Sequence, residues 1–367
     1  MTRFIQLHLL TFYPPSNLNR DDTGRPKTAI VGGVERLRVS SQAIKRAVRT
    51  SEVFYKTLEG HLGKRTQRFG EEIETHLVKV KGAKLDKARE IARTIARVFG
   101  KVGEAEEAKG NPAKPKRSAE KTSMEGPGAR TAQLAFIGPE ERHAAIAMAE
   151  SMLADKTSEV KADQVLRHVD TAVDIAMFGR MLADNAEFNR EAAVQVAHAV
   201  TTHKVAIEDD FYTAVDDLKT SSEDAGAGFM GELGFGSGVF YLYVCIDKGL
   251  LLKNLGGDTA LTAQGLTALM EALATISPTG KQASFASRSR ASFILAEKGN
   301  QQPRTLASAF IKPINAEDIL ASSIMKLRET KEAMDKAYGP CSEDFRLMDV
   351  IAGQGSLDEV KAFVAEA

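Results

Sequence analysis

Gly238-Val239-Phe240-Tyr241-Leu242-Tyr243-Val244-Cys245-Ile246 decides the fold. Its β-branched and aromatic side chains run without a polar break, as in a strand covered on both faces in the middle of a sheet. Far upstream, Phe4 to Tyr13 is apolar at Ile5, Leu7 and Leu9, is closed by Pro14-Pro15, and reads as a first strand. After Gly32-Gly33, Val34 to Val39 reads as a second. Ser40-Ser41 then supply an N-cap for a helix that carries Ala43, Ile44, Ala47 and Val48 on one face. Thr259 to Thr275 is predicted as a helix and Ala291 to Ala296 as a strand, with more helices towards the C-terminus. Strands far apart in sequence and interleaved with helices specify an α+β sheet domain.

Between these strands, residues 52–165 are dominated by helix formers, as in Ala88 to Phe99 and Ala144 to Ala154, and read as a helical insertion. Gly100 to Gly128 inside it is rich in Lys, Glu and Pro and lacks apolar periodicity. Val165 to Met181 looks helical, and residues 166–194 are assigned back to the sheet domain. Residues 195–236 read as a projecting arm, with β-like residues at Ala197 to Val205 and then an acidic polar stretch. The sheet domain is thus expected from 1–51, 166–194 and 237–367. No internal repeat is present.

The chain has 367 residues, 43% hydrophobic and 27% charged, within the range of ordinary globular proteins. Two cysteines, Cys245 and Cys341, make neither a disulfide framework nor a CxxC site, which suits a reducing cytoplasm. Gln6 and His8 interrupt the apolar start that would otherwise mimic a signal peptide, and no stretch reaches the roughly 18 apolar residues of a membrane span. Net charge is zero, but its distribution is uneven: Ser40 to Lys121 holds 20 Lys/Arg against 11 Asp/Glu, and the remainder 29 against 38. Such asymmetry permits a nucleic-acid surface, although solvated charged helices give the same count.

Several motifs resolve to nothing. Gly226-Ala227-Gly228-Phe229-Met230-Gly231 satisfies GxGxxG, yet it follows a polar loop and leads into a strand, the reverse of a dinucleotide site. Its glycines suit tight turns or the close approach of another chain. Seven scattered histidines form no metal-ligand spacing, so no metal and no cofactor is expected. SxxK at Ser118, Ser158 and Ser323 lacks partner motifs. Asp21-Asp22 can in principle hold a metal for RNA cleavage, against a plainer reading as loop carboxylates paired with Arg20 or Arg25.

More informative is Ser40-Ser41-Gln42-Ala43-Ile44-Lys45-Arg46-Ala47-Val48-Arg49. On a helix Lys45 and Arg49 share a face with Ser41 and Gln42 nearby, while Ile44 and Val48 turn to the core. Hydroxyl, amide and cations beside helix N-terminal amides are the donors of sequence-independent phosphate binding. Leu233 to Phe240 weakly echoes the Gly-aromatic-Gly entry of an RNA-recognition strand. Phe211-Tyr212, between Asp209-Asp210 and Thr213, suit base stacking or, equally, a small packing cluster.

Taken together, these blocks resemble a family. Asn17 to Asp22, Arg38 to Ala47, Val173-Asp174-Ile175-Ala176 with Gly179-Arg180-Met181, Ala197 to His203, Tyr212 to Leu218 and Ser237 to Tyr241 resemble, in order, the signature blocks of the type I-E CRISPR Cascade backbone subunit. The blocks span residue 5 to about 257; Lys56 to Val165 and the last hundred residues match by position and length. The resemblance implies a modified ferredoxin-like (RNA-recognition-like) palm, a helical finger insertion and a thumb arm. It also implies a role without catalysis: copies polymerise head to tail on the spacer of a CRISPR RNA beside other Cascade subunits. Each thumb kinks the strand, and the bases between kinks are left to pair with target DNA.

By the same resemblance, Arg20, Ser40, Gln42, Lys45 and Arg49 grip guide phosphates, Arg49 standing where the family often has lysine. Met181 and Phe211 or Tyr212 wedge at the kink, and Phe211-Tyr212 replaces a Trp-Phe pair, which leaves open which ring intercalates. The finger stretch Lys109 to Lys121 either reaches target DNA or is disordered. Related superfamily members cleave RNA from an early loop aspartate, so a metal-dependent RNase acting through Asp21 or Asp22 is the alternative.

Overall fold

Strand β1 (Phe4–Ser16) alternates Gln6, His8 and Leu10 on one face with Ile5, Leu7 and Leu9 on the other, and all six are buried. Both faces of the sheet it enters are therefore covered, and even the polar Gln6 and His8 that interrupt its apolar run are withdrawn from water. The computed structural model describes residues 3–102, 128–155, 159–214 and 229–366. The Lys109 to Lys121 stretch, Ser118, Ser158, Gly226 and Gly228 lie outside them.

Following β1, β2 (Thr28–Val31) and β3 (Val34–Val39) form a hairpin across Gly32 and Gly33, both at positive φ. Helices α1 (Ser41–Arg49) and α2 (Glu52–Thr57) are capped by the Ser40 and Ser51 side chains, which accept from the amides of Ala43 and Phe54. Next come β4 (Lys64–Thr66), α3 (Phe69–Lys79), α4 (Leu85–Phe99), β5 (Ala135–Ile137), α5 (Pro139–Leu153), α6 (Ala162–Val165) and α7 (Val173–Phe178). Short strands β6 (Val194–Val196) and β7 (Ala199–Thr201) lead to β8 (Glu208–Ala214) and the long β9 (Phe229–Asp247). The chain ends with α8 (Lys248–Asn254), α9 (Thr259–Thr275), α10 (Gln282–Phe285), β10 (Phe293–Gly299), α11 (Ile319–Tyr338), β11 (Asp344–Asp349) and α12 (Leu357–Ala365).

Two compact units result, one of Met1–Leu58, Ala193–Leu252 and Asp258–Ala367, the other of Glu59–Ala192 and Lys253–Gly257. The first is built on an antiparallel sheet in the order β11-β10-β1-β9-β7-β3-β2, with β6 and β8 also paired to β9. On one face Leu10, Tyr241, Phe293 and Leu295 pack with Phe310, Ile324 and Leu327 of the C-terminal region. On the other, Val39, Phe240 and Leu242 line a small apolar cavity together with Ile44 and Val48 of α1 and Leu273 of α9. The second unit has its own core, in which Phe69, Ile73 and Leu77 pack with Ile91, Ile95 and Phe99.

The α+β class, the strands at 4–13, 34–39 and 239–246, the Ser40 cap and the helix at 259–275 are all present. Elsewhere the structure departs from the reading. Residues 166–192, assigned to the sheet domain, belong to the second unit, because Leu166, Leu182 and Phe188 are buried in its core. The helix expected over Val165 to Met181 is reduced to α7; Gly179 at φ 79 ends it. Residues 195–196 and 199–201 of the expected arm are sheet strands, leaving the β8–β9 hairpin as the arm. The glycines from 231 to 238 make no turn: they lie within β9, and a Cβ on Gly231, Gly236 or Gly238 would meet Tyr212, Leu37 or His203. They permit close approach within the sheet.

Candidate nucleic-acid interface

Residues 17–27 fold back on themselves. The Asp21 amide donates to the Arg25 carbonyl at 2.9 Å and the Lys27 amide to the Asn19 carbonyl at 2.8 Å. Buried Asn17 ties this loop down through its Nδ2, which donates to the Gly24 and Gly234 carbonyls, and Asn19 Oδ1 accepts from the Ser40 amide at 2.8 Å. One short loop is thereby fixed both to the arm and to the start of α1. Together with Ala43, Arg46 and Ala47 of α1 and the turn Pro278-Thr279-Gly280, it walls an open groove of about 560 Å³. Gly280 lies against the carbonyls of Asn17 and Leu18, too close for any Cβ.

Arg20 is exposed and lines this groove. Ser40 is buried, and its Oγ already accepts from the Ala43 amide at 3.3 Å, so it positions the first turn of α1. Gln42 is exposed, with its Oε1 accepting from Ser41 Oγ at 3.4 Å. Lys45 and Arg49 are half-buried, and burial lowers the Lys45 ammonium from its ordinary pKa. The cation that lines the groove beside Arg20 is Arg46, which the sequence reading passed over because it sits off the Lys45–Arg49 face. Ile44 and Val48 are in the core, as expected.

The expected wedge residues fall in two places. Phe211 and Tyr212 lie on β8 in the first unit, and Met181 in the second. Met181 is 81% exposed and follows Arg180, whose guanidinium is buried against Glu141 and the carbonyls of Phe136 and Phe188. In the hairpin, Phe211 stands opposite Glu232 and Tyr212 opposite Gly231. The Tyr212 ring closes over Gly231, where a Cβ would lie 2.6 Å from Cζ. Phe211 is 66% exposed against 44% for Tyr212, and Met230, diagonal to Phe211 on the same hairpin face, is 65% exposed. Met230 was missed; its only signal was alternation inside a glycine run.

The paired carboxylates are not paired with Arg20 or Arg25. Asp21 Oδ1 accepts from the Thr23 amide and hydroxyl and from the Arg25 amide at 2.8–3.0 Å, and the hydroxyl first of all lowers its pKa. Arg25 instead pairs with Asp209 of the arm at 3.1 Å. Asp22 is exposed. Among the described residues no three His, Cys, Asp or Glu side chains come together as a metal site. Ser323 is buried, with its hydroxyl on Thr202 and the Ile319 carbonyl. Part of the basic surplus is met by carboxylates from beyond residue 121, where Lys81 pairs with Glu150 and Lys87 with Asp155. Among the described residues no helix is long and apolar enough to cross a membrane.

A family model described as CT1975-like protein matches residues 5–363. Among solved structures, the chain is similar to one described as "CRISPR RNA-guided surveillance complex, pre-nicking", with 27% identity, 99% of each chain covered and a TM-score of 0.80. It is also similar to one described as "CRISPR RNA-guided surveillance complex", with 25% identity, 99% and 100% coverage and a TM-score of 0.68. No curated protein matches it.

Proposed function

Because this chain belongs to the CT1975-like protein family, matched over residues 5–363, we propose that it is a CRISPR RNA-binding subunit of an RNA-guided surveillance complex. In the finer reading it is the backbone subunit of a type I-E Cascade, non-catalytic, cytoplasmic, and repeated head to tail along the guide. The observation that carries the proposal is the groove at α1, where exposed Arg20 and Arg46 both line a cleft between a braced loop and a capped helix start. Cations and helix-end amides hold phosphates without reading bases, which leaves specificity to pairing between guide and target DNA. Lys45 and Arg49, on the same helix, extend the cationic surface. The order β10-β1-β9-β7 supports reading the sheet as a modified ferredoxin-like palm.

Phe211 with Met230 on the arm, and Met181 on the second unit, are the apolar side chains suited to replace lost stacking where a strand is kinked. Between the two rings, Phe211 is favoured, since Tyr212 is folded onto its own hairpin. The Asp21 hydrogen bonds favour a structural rather than a nucleolytic role for that carboxylate.

Lys45→Ala combined with Arg49→Ala is expected to weaken binding of guides with unrelated spacers to the same degree and to flatten the salt dependence of binding. Loss confined to one spacer sequence contradicts the proposal. Cleavage of complementary RNA with Mg²⁺, abolished by Asp22→Ala, would replace it with the nuclease.

A further inference from the structure

We propose that the loop of residues 277–290, which joins α9 to β10, is a second phosphate-binding element: Arg288, Arg290 and Lys281 hold the sugar-phosphate backbone of single-stranded RNA where it runs on from the α1 groove. The inference rests on the RNA-binding reading above and adds a contact site to it.

The loop is built rather than slack. Ser277 Oγ donates to the Ser289 carbonyl at 3.1 Å and accepts from the Ser289 amide at 2.9 Å, stapling its two ends. Gln282 Nε2 spans the interior, donating to the Pro278 carbonyl at 2.9 Å and the Ser287 carbonyl at 3.3 Å. Lys281 at φ 50 and Ala286 at φ 48 both sit in the left-handed region that side chains rarely adopt, and they bracket α10. Strain of this kind persists only where the surroundings impose it, and it concentrates at binding sites. The Phe285 ring rests on Phe235 at the base of the arm, with centroids 5.8 Å apart. The loop's first turn, Pro278-Thr279-Gly280, is itself a wall of the groove.

On this frame the cations are left unneutralised. Arg288 and Arg290 are exposed and Lys281 half-exposed. Among the described residues none of the three side chains makes an ion pair or a hydrogen bond, whereas Arg304, Arg328 and Lys331 of the same unit are all paired with carboxylates. The two arginines flank Ser289, whose backbone is stapled to Ser277, next to the groove wall. A rigid backbone presenting unpaired guanidiniums loses little freedom on binding, and guanidinium geometry matches phosphate. The ligand this fits is an extended polyanion lying along the groove, with no base-specific contact required.

The test measures binding of the full chain to two single-stranded RNA oligonucleotides of unrelated sequence across a salt series. Arg288→Gln with Arg290→Gln should lower affinity equally for both and reduce the slope of log K against log salt by about 1.4, since each phosphate no longer neutralised on a single strand removes about 0.7. Arg288→Lys with Arg290→Lys should keep the slope. Unchanged affinity and slope in the Gln variant, while Lys45→Ala with Arg49→Ala loses both, overturns this inference and leaves the α1 reading standing. If neither variant changes binding, both fall. A Gln variant that binds RNA normally but no longer self-associates assigns the loop to an acidic surface of a neighbouring copy, and that too overturns it.

Discussion

Asp170 is charged at a cost. Its carboxyl is buried beside Glu141 and close to Glu140, and desolvation first, then those two like charges, push its pKa up to about 6. Its Oδ1 accepts from the Ala172 amide, while among the described residues Oδ2 has no donor and presses against Gly138. A carboxyl raised in the fold from 3.8 contributes stability that is complete below pH 4 and lost as pH rises through about 6. Such a displacement is worth on the order of 2–3 kcal/mol. Asp170→Asn is therefore expected to stabilise the protein at pH 7.5 by about 1–2 kcal/mol and to change little at pH 4, as read by urea unfolding at both values. Glu297 is the opposite case: although burial alone would raise it, hydrogen bonds from His8 and Arg304 hold it well below the carboxylate range. His8 itself is lowered by burial.

At the scale of elements, the proposed function makes the arm hairpin the feature that selects which aromatic would meet RNA. Phe211→Ala is expected to cost about 1–3 kcal/mol of guide binding, the worth of one stacked base, and to quench the fluorescence of a 2-aminopurine placed at the kink. Tyr212→Ala should do less; equal effects would remove the distinction between the two faces. The hairpin also marks the limit of what the sequence made legible. Residues 239–246 announce themselves through β-branched and aromatic composition, but their continuation back to Phe229 is hidden by glycines that read as turns and serve as clearance for Tyr212, Leu37 and His203. Strand β11, Asp344–Asp349, is a mostly exposed edge with three charged residues in six, so it carried no strand signal. Of the site, the Ser40 cap and the α1 cations could be read locally. Arg46's place in the groove, the Met230 neighbour and the 277–290 loop depend on contacts between distant segments, and no local pattern encodes those.

For the whole molecule, two units with separate cores predict two calorimetric transitions on heating, of which Asp170→Asn at pH 7.5 raises one. A single transition, shifted as a whole, would mean the units unfold together. The sheet domain is assembled from three stretches of chain and the other unit chiefly from one long excursion, so local contacts favour the latter while non-local pairing governs the former.

Strand β9 has a mechanical consequence. Its 19 residues extend for roughly 60 Å at about 3.3 Å each. One end pairs with β8, and the other lies between β1 and β6 at the centre of the sheet. Digit and body share this one strand, which carries Gly234, Gly236 and Gly238 where they join and where its register with β1 shifts. Under the proposed function, a load on the digit would pass along this backbone to the strands at the centre of the sheet, and loosening that root would slacken the grip at a distance.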